Sequence, residues 1–255
     1  MTPYIISASR REDIPAWKVT WLLERIKEGK VEMNTPYLDY DISFEKVQLI
    51  VFWTKNPRPL MEHLKDIPFK YYFQFTLNDY PEYELNIPPL EERIKTFIDL
   101  SKMIGKRKTI WRFDPIIIND EISVDEIISR IKNIGDQIYK YTDKLVFSFI
   151  DPYKKLKNKF TEVDKNTQIE IVQKLKNLNL IWELDLATCA EGLDFDGVEH
   201  NKCIDPILVR KICGNKKWIR DTKDKSQRKL CGCISSGDIG TFNECEHKCT
   251  YCYAK

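Results

Sequence analysis

The stretch TIWRFDPIIINDEISVDEIISRIKNIGDQIYKYTDKLVFSFI, residues 109–150, decides the fold class. It opens on a near-continuous apolar run, Thr109–Phe113, and closes on another, Lys144–Ile150. Between them Val124, Ile127, Ile128, Ile131, Ile134 and Ile138 recur at the spacing of a helix with one buried face. Strands that read as unbroken apolar runs, without in–out alternation, are those of parallel sheets covered on both faces. The stretch therefore reads as one β–α–β unit.

The same alternation extends outward in both directions. Tyr4–Ala8, Val47–Trp53, Tyr71–Leu77 and Leu180–Ala187 read as further strands. Helical stripes lie between them: Ile14, Trp17, Trp21, Leu22 and Ile26; Leu90, Ile94, Phe97, Ile98 and Met103; Ile169, Val172, Leu175 and Leu178. Pro59–Lys65 reads as a shorter helix. Residues 1–188 thus hold about six β–α units, which predict a parallel sheet with its helices packed outside. Six is fewer than the eight of a closed barrel, which leaves a partial, open barrel or a doubly wound sheet. In both, the carboxyl ends of the strands form the active face. Polar residues gather there: Ser7, Ser9, Arg10, Arg11 and Asp13 after the first strand, Lys55 and Asn56 after the second, Gln74 and Thr76 in the third, Arg112 and Asp114 in the fourth, Ser148 and Asp151 in the fifth, Thr188 and Cys189 after the sixth. Some of these residue types also cap helices, and Asp13, two residues before Pro15, is placed to do so.

Composition narrows the class. With 41 Lys+Arg against 39 Asp+Glu, the net charge of +2 argues against a dedicated nucleic-acid binder. The 42% hydrophobic and 31% charged content is that of a globular chain. No apolar run approaches a membrane span, and the opening MTPYIISASRRED does not read as a secretory signal. A cytoplasmic protein is expected.

All 8 cysteines lie between Cys189 and Cys252. Random placement crowds them so only about twice in 100,000 trials, and clustered cysteines in a cytosolic chain read as metal or redox sites. From Glu191 onward there is no long helical stripe, and Lys216–Lys229 is rich in Lys and Arg. Residues 189–255 read as an irregular tail whose missing core a bound metal would replace.

The last eleven residues, CEHKCTYCYAK, space Cys245, Cys249 and Cys252 as C-x3-C-x2-C. Three thiolates on one short loop fit a cubic [4Fe-4S] cluster and leave one iron open to substrate or cofactor. Zinc, with His247 as fourth ligand, is the alternative. Cys189, Cys203, Cys231 and Cys233 form a second candidate set, for a fully ligated cluster, a structural zinc, or no metal at all. Cys213, in a helical-looking stretch, reads as a small buried residue. His63 reads as a surface helix residue, and the run Lys154–Lys159 as a solvated loop. No phosphate-cradling glycine loop occurs.

The C-x3-C-x-aromatic-C pattern resembles the signature of radical S-adenosylmethionine (SAM) enzymes, and CEHKCTYCYA is similar to the corresponding loop of spore photoproduct lyase-like members. IISASRREDIP, VFWTKNP, YYFQFTL, IWRFDPI, SFIDPYKK, TCAE and DIGTFNECEHKCTYCYA resemble, over nearly the full length, a prokaryotic family of unknown function. The radical SAM resemblance implies a partial (β/α)6 TIM-type barrel over residues 1–188, with the tail folding over the strand ends. It implies an open-site [4Fe-4S] cluster at Cys245, Cys249 and Cys252 that binds SAM and cleaves it to a 5′-deoxyadenosyl radical. It also implies a flavodoxin- or ferredoxin-type electron donor. In that family the cysteine loop follows the first strand; here it follows the last, which implies a permuted arrangement. A Gly-Gly-Glu-type motif is absent after the second strand, where Trp53-Thr54-Lys55-Asn56 stands. The expected activity is that of an oxidoreductase or lyase on an unknown small molecule. Arg10, Arg11, Lys55, Arg112 and Asp114 would line the pocket and bind carboxylates or ribose hydroxyls. An electron-transfer iron–sulfur protein and a zinc-stabilised nucleic-acid module are the alternatives.

Overall fold

A computed structural model describes residues 2–34, 39–151, 156 and 159–254. Most of the lysine run 154–159 lies outside the described residues. In chain order the elements are β1 (Ile5–Ala8), α1 (Ile14–Trp17), α2 (Val19–Glu28), β2 (Lys30–Asn34), β3 (Asp39–Ser43), β4 (Leu49–Thr54), α3 (Arg58–Met61), β5 (Lys70–Thr76), α4 (Leu90–Ile104), β6 (Thr109–Ile116), α5 (Val124–Ile138), β7 (Lys144–Phe149), α6 (Lys165–Trp182), β8 (Asp185–Thr188), β9 (Glu199–His200), α7 (Pro206–Cys213) and β10 (Gly237–Asp238). Eight strands form a mostly parallel sheet in the order β10-β1-β4-β5-β6-β7-β8-β9. Its two edges are β10 and β9, so among the described residues the sheet does not close into a barrel.

The chain divides into two compact units. The first takes in the residues up to Gln74, Lys202–Glu246 and Ala254. In it β1 lies parallel to β4, with Ile5 opposite Leu49 and Ala8 opposite Phe52. On the other side of β1 lies β10, also parallel, with Ile6 opposite Gly237 and Ser7 opposite Asp238. Ile5, Ile6, Leu49, Ile50, Val51 and Phe52 are buried, as the apolar runs require. Asp13 caps α1 by accepting from the Ala16 N–H at 3.1 Å, and Gly29, at φ 77°, ends α2. The antiparallel hairpin of β2 and β3 escaped the sequence reading. Its strands, KVEMN and DYDIS, carry only Val31, Met33 and Ile42 as buried apolar residues, too few to stand out.

The second unit comprises Phe75–Asn201 and His247–Tyr253. Here β6, β7, β8 and β9 run parallel. Ser123 caps α5 by accepting from the Glu126 N–H, and Asp125 and Glu126 favour the positive end of the helix dipole. The expected stripe is buried: Ile127, Ile131, Ile134 and Ile138 are each 0% exposed. The run Leu180–Ala187 is corrected. Leu180, Ile181 and Trp182 form the last turn of α6, Glu183 ends it at φ 54°, and the strand starts at Asp185. Leu180 and Ile181 face solvent while Trp182, four residues after Leu178, continues the buried stripe. Among the described residues no helix is long and apolar enough to cross a membrane.

Trp182 stacks edge-on to Trp111 at 5.9 Å and donates from its indole N–H to Asp136 at 3.0 Å. It lies so close to Gly135 that a methyl group there would fall inside the indole. Gly135→Ala is therefore expected to lower the unfolding free energy by about 1–3 kcal/mol through overpacking, as read from urea denaturation; unchanged stability would contradict this packing.

Candidate functional site

In the first unit the polar residues after β1 face the chain around β10. The Ser9 hydroxyl donates to Asp238 at 2.7 Å and the Arg10 N–H to the same carboxylate at 3.1 Å. The Arg10 guanidinium donates to the Ser7 hydroxyl at 2.8 Å and the Ser236 hydroxyl at 3.2 Å, and stacks on Trp53 at 4.6 Å. It also hydrogen-bonds Cys233. Burial works to lower the Arg10 pKa, but Cys233, Asp238 and Cys203 outweigh it and raise the value.

Three cysteines meet at this point. Cys233 is hydrogen-bonded to the thiols of both Cys203 and Cys231. The bond with Cys203 favours the Cys233 thiolate; the bond with Cys231 and burial oppose it and raise the thiol pKa. The Cys203 carbonyl accepts from the Tyr72 hydroxyl at 2.6 Å and from the Gln74 amide at 2.9 Å, both beneath the surface. Cys213 ends α7, half-buried, and burial pushes its thiol pKa up.

The segment after β10 is fastened to the residues after β1. Gly240 packs on Ser9 so closely that no side chain fits. Its carbonyl accepts from Arg11 at 3.1 Å, and the Arg11 guanidinium lies 4.9 Å over the Phe242 ring. The Thr241 N–H donates to Glu12 at 2.7 Å, and Lys18 pairs with both Glu12 and Glu244. The Asn243 N–H donates to the Ala254 carbonyl at 2.8 Å, closing the base of the loop that carries Cys245, Cys249 and Cys252. Lys55 is fixed through its backbone N–H, which donates to Asp13 at 2.6 Å.

In the second unit the tail residues 247–253 dock on the chain after β5. The Thr250 N–H donates to the Tyr83 carbonyl at 2.9 Å, and His247 bonds the Asn86 carbonyl through Nδ1 at 2.9 Å. Tyr251, the aromatic residue of the cysteine motif, donates its hydroxyl to Glu84. Asn78 donates to Glu84, to the Tyr251 hydroxyl and to the Asp114 carbonyl, each at 3.1 Å. Arg93 stands 3.6 Å from Glu84. Burial, with Glu84 and Cys249 nearby, raises the Tyr251 pKa well above the ordinary phenol value. Asp114 pairs with Arg112 and accepts from the Ser148 hydroxyl. Arg112 and Asp114 are thus joined through Asn78 to the segment that bears Cys249 and Cys252. The Cys252 N–H donates to the Cys249 carbonyl at 3.1 Å, so those two cysteines share one turn.

The sequence reading did not single out Asn78, Glu84 or Arg93. The polar-aromatic stretch Asn78–Asn86 after β5 was their one signal. Cys189 follows β8, where its N–H donates to the Phe147 carbonyl at 2.8 Å. Among the described residues no three His, Cys, Asp or Glu side chains stand in ready-made metal geometry. The donor chemistry of the tail fits an iron–sulfur cluster: three thiols on one loop, Cys249 buried and Cys245 and Cys252 half-exposed.

This α/β chain with a cysteine-rich tail belongs to the family described as Domain of unknown function (DUF1848), whose profile matches residues 5–254. No curated protein and no solved structure matches it.

Tyr251→Phe removes a donor from the buried Glu84 carboxylate and an acceptor from the buried Asn78 amide. It is expected to cost about 1–3 kcal/mol of stability and to speed alkylation of Cys249, read by denaturation and by mapped thiol labelling. Unchanged labelling would mean that the hydroxyl does not hold the loop.

Proposed function

We propose that this chain is a cytoplasmic iron–sulfur enzyme of the radical SAM type. Cys245, Cys249 and Cys252 would hold a [4Fe-4S] cluster, with one iron left to the amino and carboxylate groups of S-adenosylmethionine. The observation that carries the reading is the place of β10. It lies at the sheet edge, parallel to β1, and the cysteine segment follows it directly. That is the relation the cysteine loop and first strand have in radical SAM enzymes, reached here by a strand that comes last in the chain. On this reading the sheet is a permuted partial (β/α)6 barrel.

The chemistry such a cluster supplies when bound is one-electron cleavage of S-adenosylmethionine to a 5′-deoxyadenosyl radical, with the electron from a flavodoxin- or ferredoxin-type donor. The chain's own residues bind and orient. Tyr251, held by Glu84 and Asn78, fixes the turn between Cys249 and Cys252. Arg112 is buried against Asp114, whose side chain keeps 24% of its surface exposed and can accept from a ribose or substrate hydroxyl. Arg10 is bonded to Cys233 and Arg11 to the Gly240 carbonyl. They position the tail and the thiols.

Anaerobically reconstituted protein should be brown and should form 5′-deoxyadenosine from S-adenosylmethionine under dithionite. Cys249→Ala should lose both properties. Arg112→Ala should keep its iron and weaken binding of S-adenosylmethionine or substrate by about 1.5–3 kcal/mol, the scale of a charge-assisted hydrogen bond. Wild-type protein with full iron that neither binds S-adenosylmethionine nor forms the product would replace this reading with electron transfer.

A further inference from the structure

The basic stretch that follows α7 takes no part in the chemistry proposed above. Residues 211–230 carry 8 Lys+Arg and 2 Asp+Glu, while the remainder of the chain is net acidic. The overall charge of +2 thus conceals one strongly positive segment. All its basic residues are exposed. Neither acid pairs with them. Asp221 accepts from Arg210, outside the segment, at 2.8 Å. Asp224 is buried and accepts from the Ser226 N–H at 2.9 Å and the Ser226 hydroxyl at 2.7 Å. Among the described residues Lys211, Lys216, Lys217, Arg220, Lys225 and Lys229 have no carboxylate partner.

The backbone that presents these cations is held in place. Arg210 also donates to the Ile219 carbonyl at 3.4 Å, and Ile219 is buried. The Lys223 ammonium donates to the Arg228 and Lys229 carbonyls at 3.0 and 2.7 Å, closing the loop that carries Lys225. The Asp224 N–H ties that loop to the Cys233 carbonyl at 2.8 Å. An aromatic pair stands in the same run. Trp218 stacks on Tyr4 with ring centroids 5.1 Å apart and planes within 9°, and Tyr4 keeps 41% of its surface exposed. Burial raises the Cys213 thiol pKa while Lys70 and Lys216 both pull it down, so a cation from the start of β5 joins the patch.

We propose that this face binds single-stranded nucleic acid, its cations taking successive phosphates and the exposed Tyr4 ring taking a base. Unpaired cations on one ordered segment suit a polyanion of repeating charge, which releases its counterions on binding. Stacking on an aromatic ring beside such cations is how single strands are held without regard to sequence, since every base has a π face. A lipid surface would call for apolar side chains to insert, and Leu230 alone of the segment's apolar residues is exposed. The proposal needs no metal at the cysteines and stands or falls apart from the iron–sulfur reading.

The test is fluorescence anisotropy of labelled oligo(dT) and oligo(rU), each about 20 nucleotides long, titrated with the full-length protein across a range of salt. Both strands should bind, with a log–log salt slope of about −3 to −4, that of roughly five phosphates neutralised; the tighter strand names the source. The triple variant Lys216→Glu, Lys217→Glu, Arg220→Glu should weaken binding more than tenfold. Should it fail to fold, Lys225→Glu with Lys229→Glu takes its place. Tyr4→Leu should weaken binding about fivefold or more and leave the salt slope unchanged. Failure of both strands to bind at low salt would overturn the proposal, as would charge-reversal variants that bind like wild type. Tighter binding to polyglutamate, to polyphosphate or to phosphatidylserine vesicles than to either strand would overturn it in favour of an acidic protein, a simple polyanion or a lipid surface.

Discussion

The arrangement of the second unit depends on one buried carboxylate. Glu84 has no exposed side-chain surface, and an ion in that position is costly unless its surroundings satisfy it. Arg93 supplies the opposite charge, and Tyr251 and Asn78 supply hydrogen bonds. One of these partners belongs to the tail. The segment that carries Cys249 and Cys252 is therefore part of what makes Glu84 tolerable, and Glu84 is part of what makes that segment ordered. Asn78 passes the same constraint on to Asp114, and through it to Arg112 and Ser148.

The first unit solves a similar problem with a cation. Arg10 is largely buried, yet its donors meet hydroxyls, a carboxylate, an aromatic face and a thiol. It ties the loop after β1 to β10 and to the cysteines beside it. Its role is to join segments far apart in sequence, which a two-residue edge strand could not do alone.

Much of this was legible in the residues. The core strands and most of the stripes of α4, α5 and α6 follow from apolar periodicity, because burial selects residues one by one along a regular backbone; Met103 and Ile169, read as stripe residues, face solvent instead. Arg112 and Asp114 stand out for the same reason, as charges inside the otherwise apolar run IWRFDPI. Cys189, Cys203, Cys231 and Cys233 drew notice as a set because thiols are rare and clustered; the hydrogen bonds around Cys233 reach Cys203 and Cys231. What stayed hidden depends on tertiary pairing. A two-residue strand such as β10 has no period to detect. Leu180 and Ile181 look like strand residues until the helix before them is seen to continue. Glu84 reads as one acidic residue among many, since nothing local distinguishes a carboxylate that will be buried.

The pairing of β10 with β1 also orders events in time. Ser9 and Asp238 are 229 residues apart in the chain. At synthesis rates of roughly 5–20 residues per second, β1 leaves the ribosome about 10–50 s before its partner. During that interval one edge of β1 is open, and Arg10 has neither Asp238 nor Cys233 beside it. The rest of the sheet can form first, but the thiol cluster and the tail loop cannot be assembled until late in translation. The nascent β1 edge is in consequence the place where a chaperone or a stray strand would bind first.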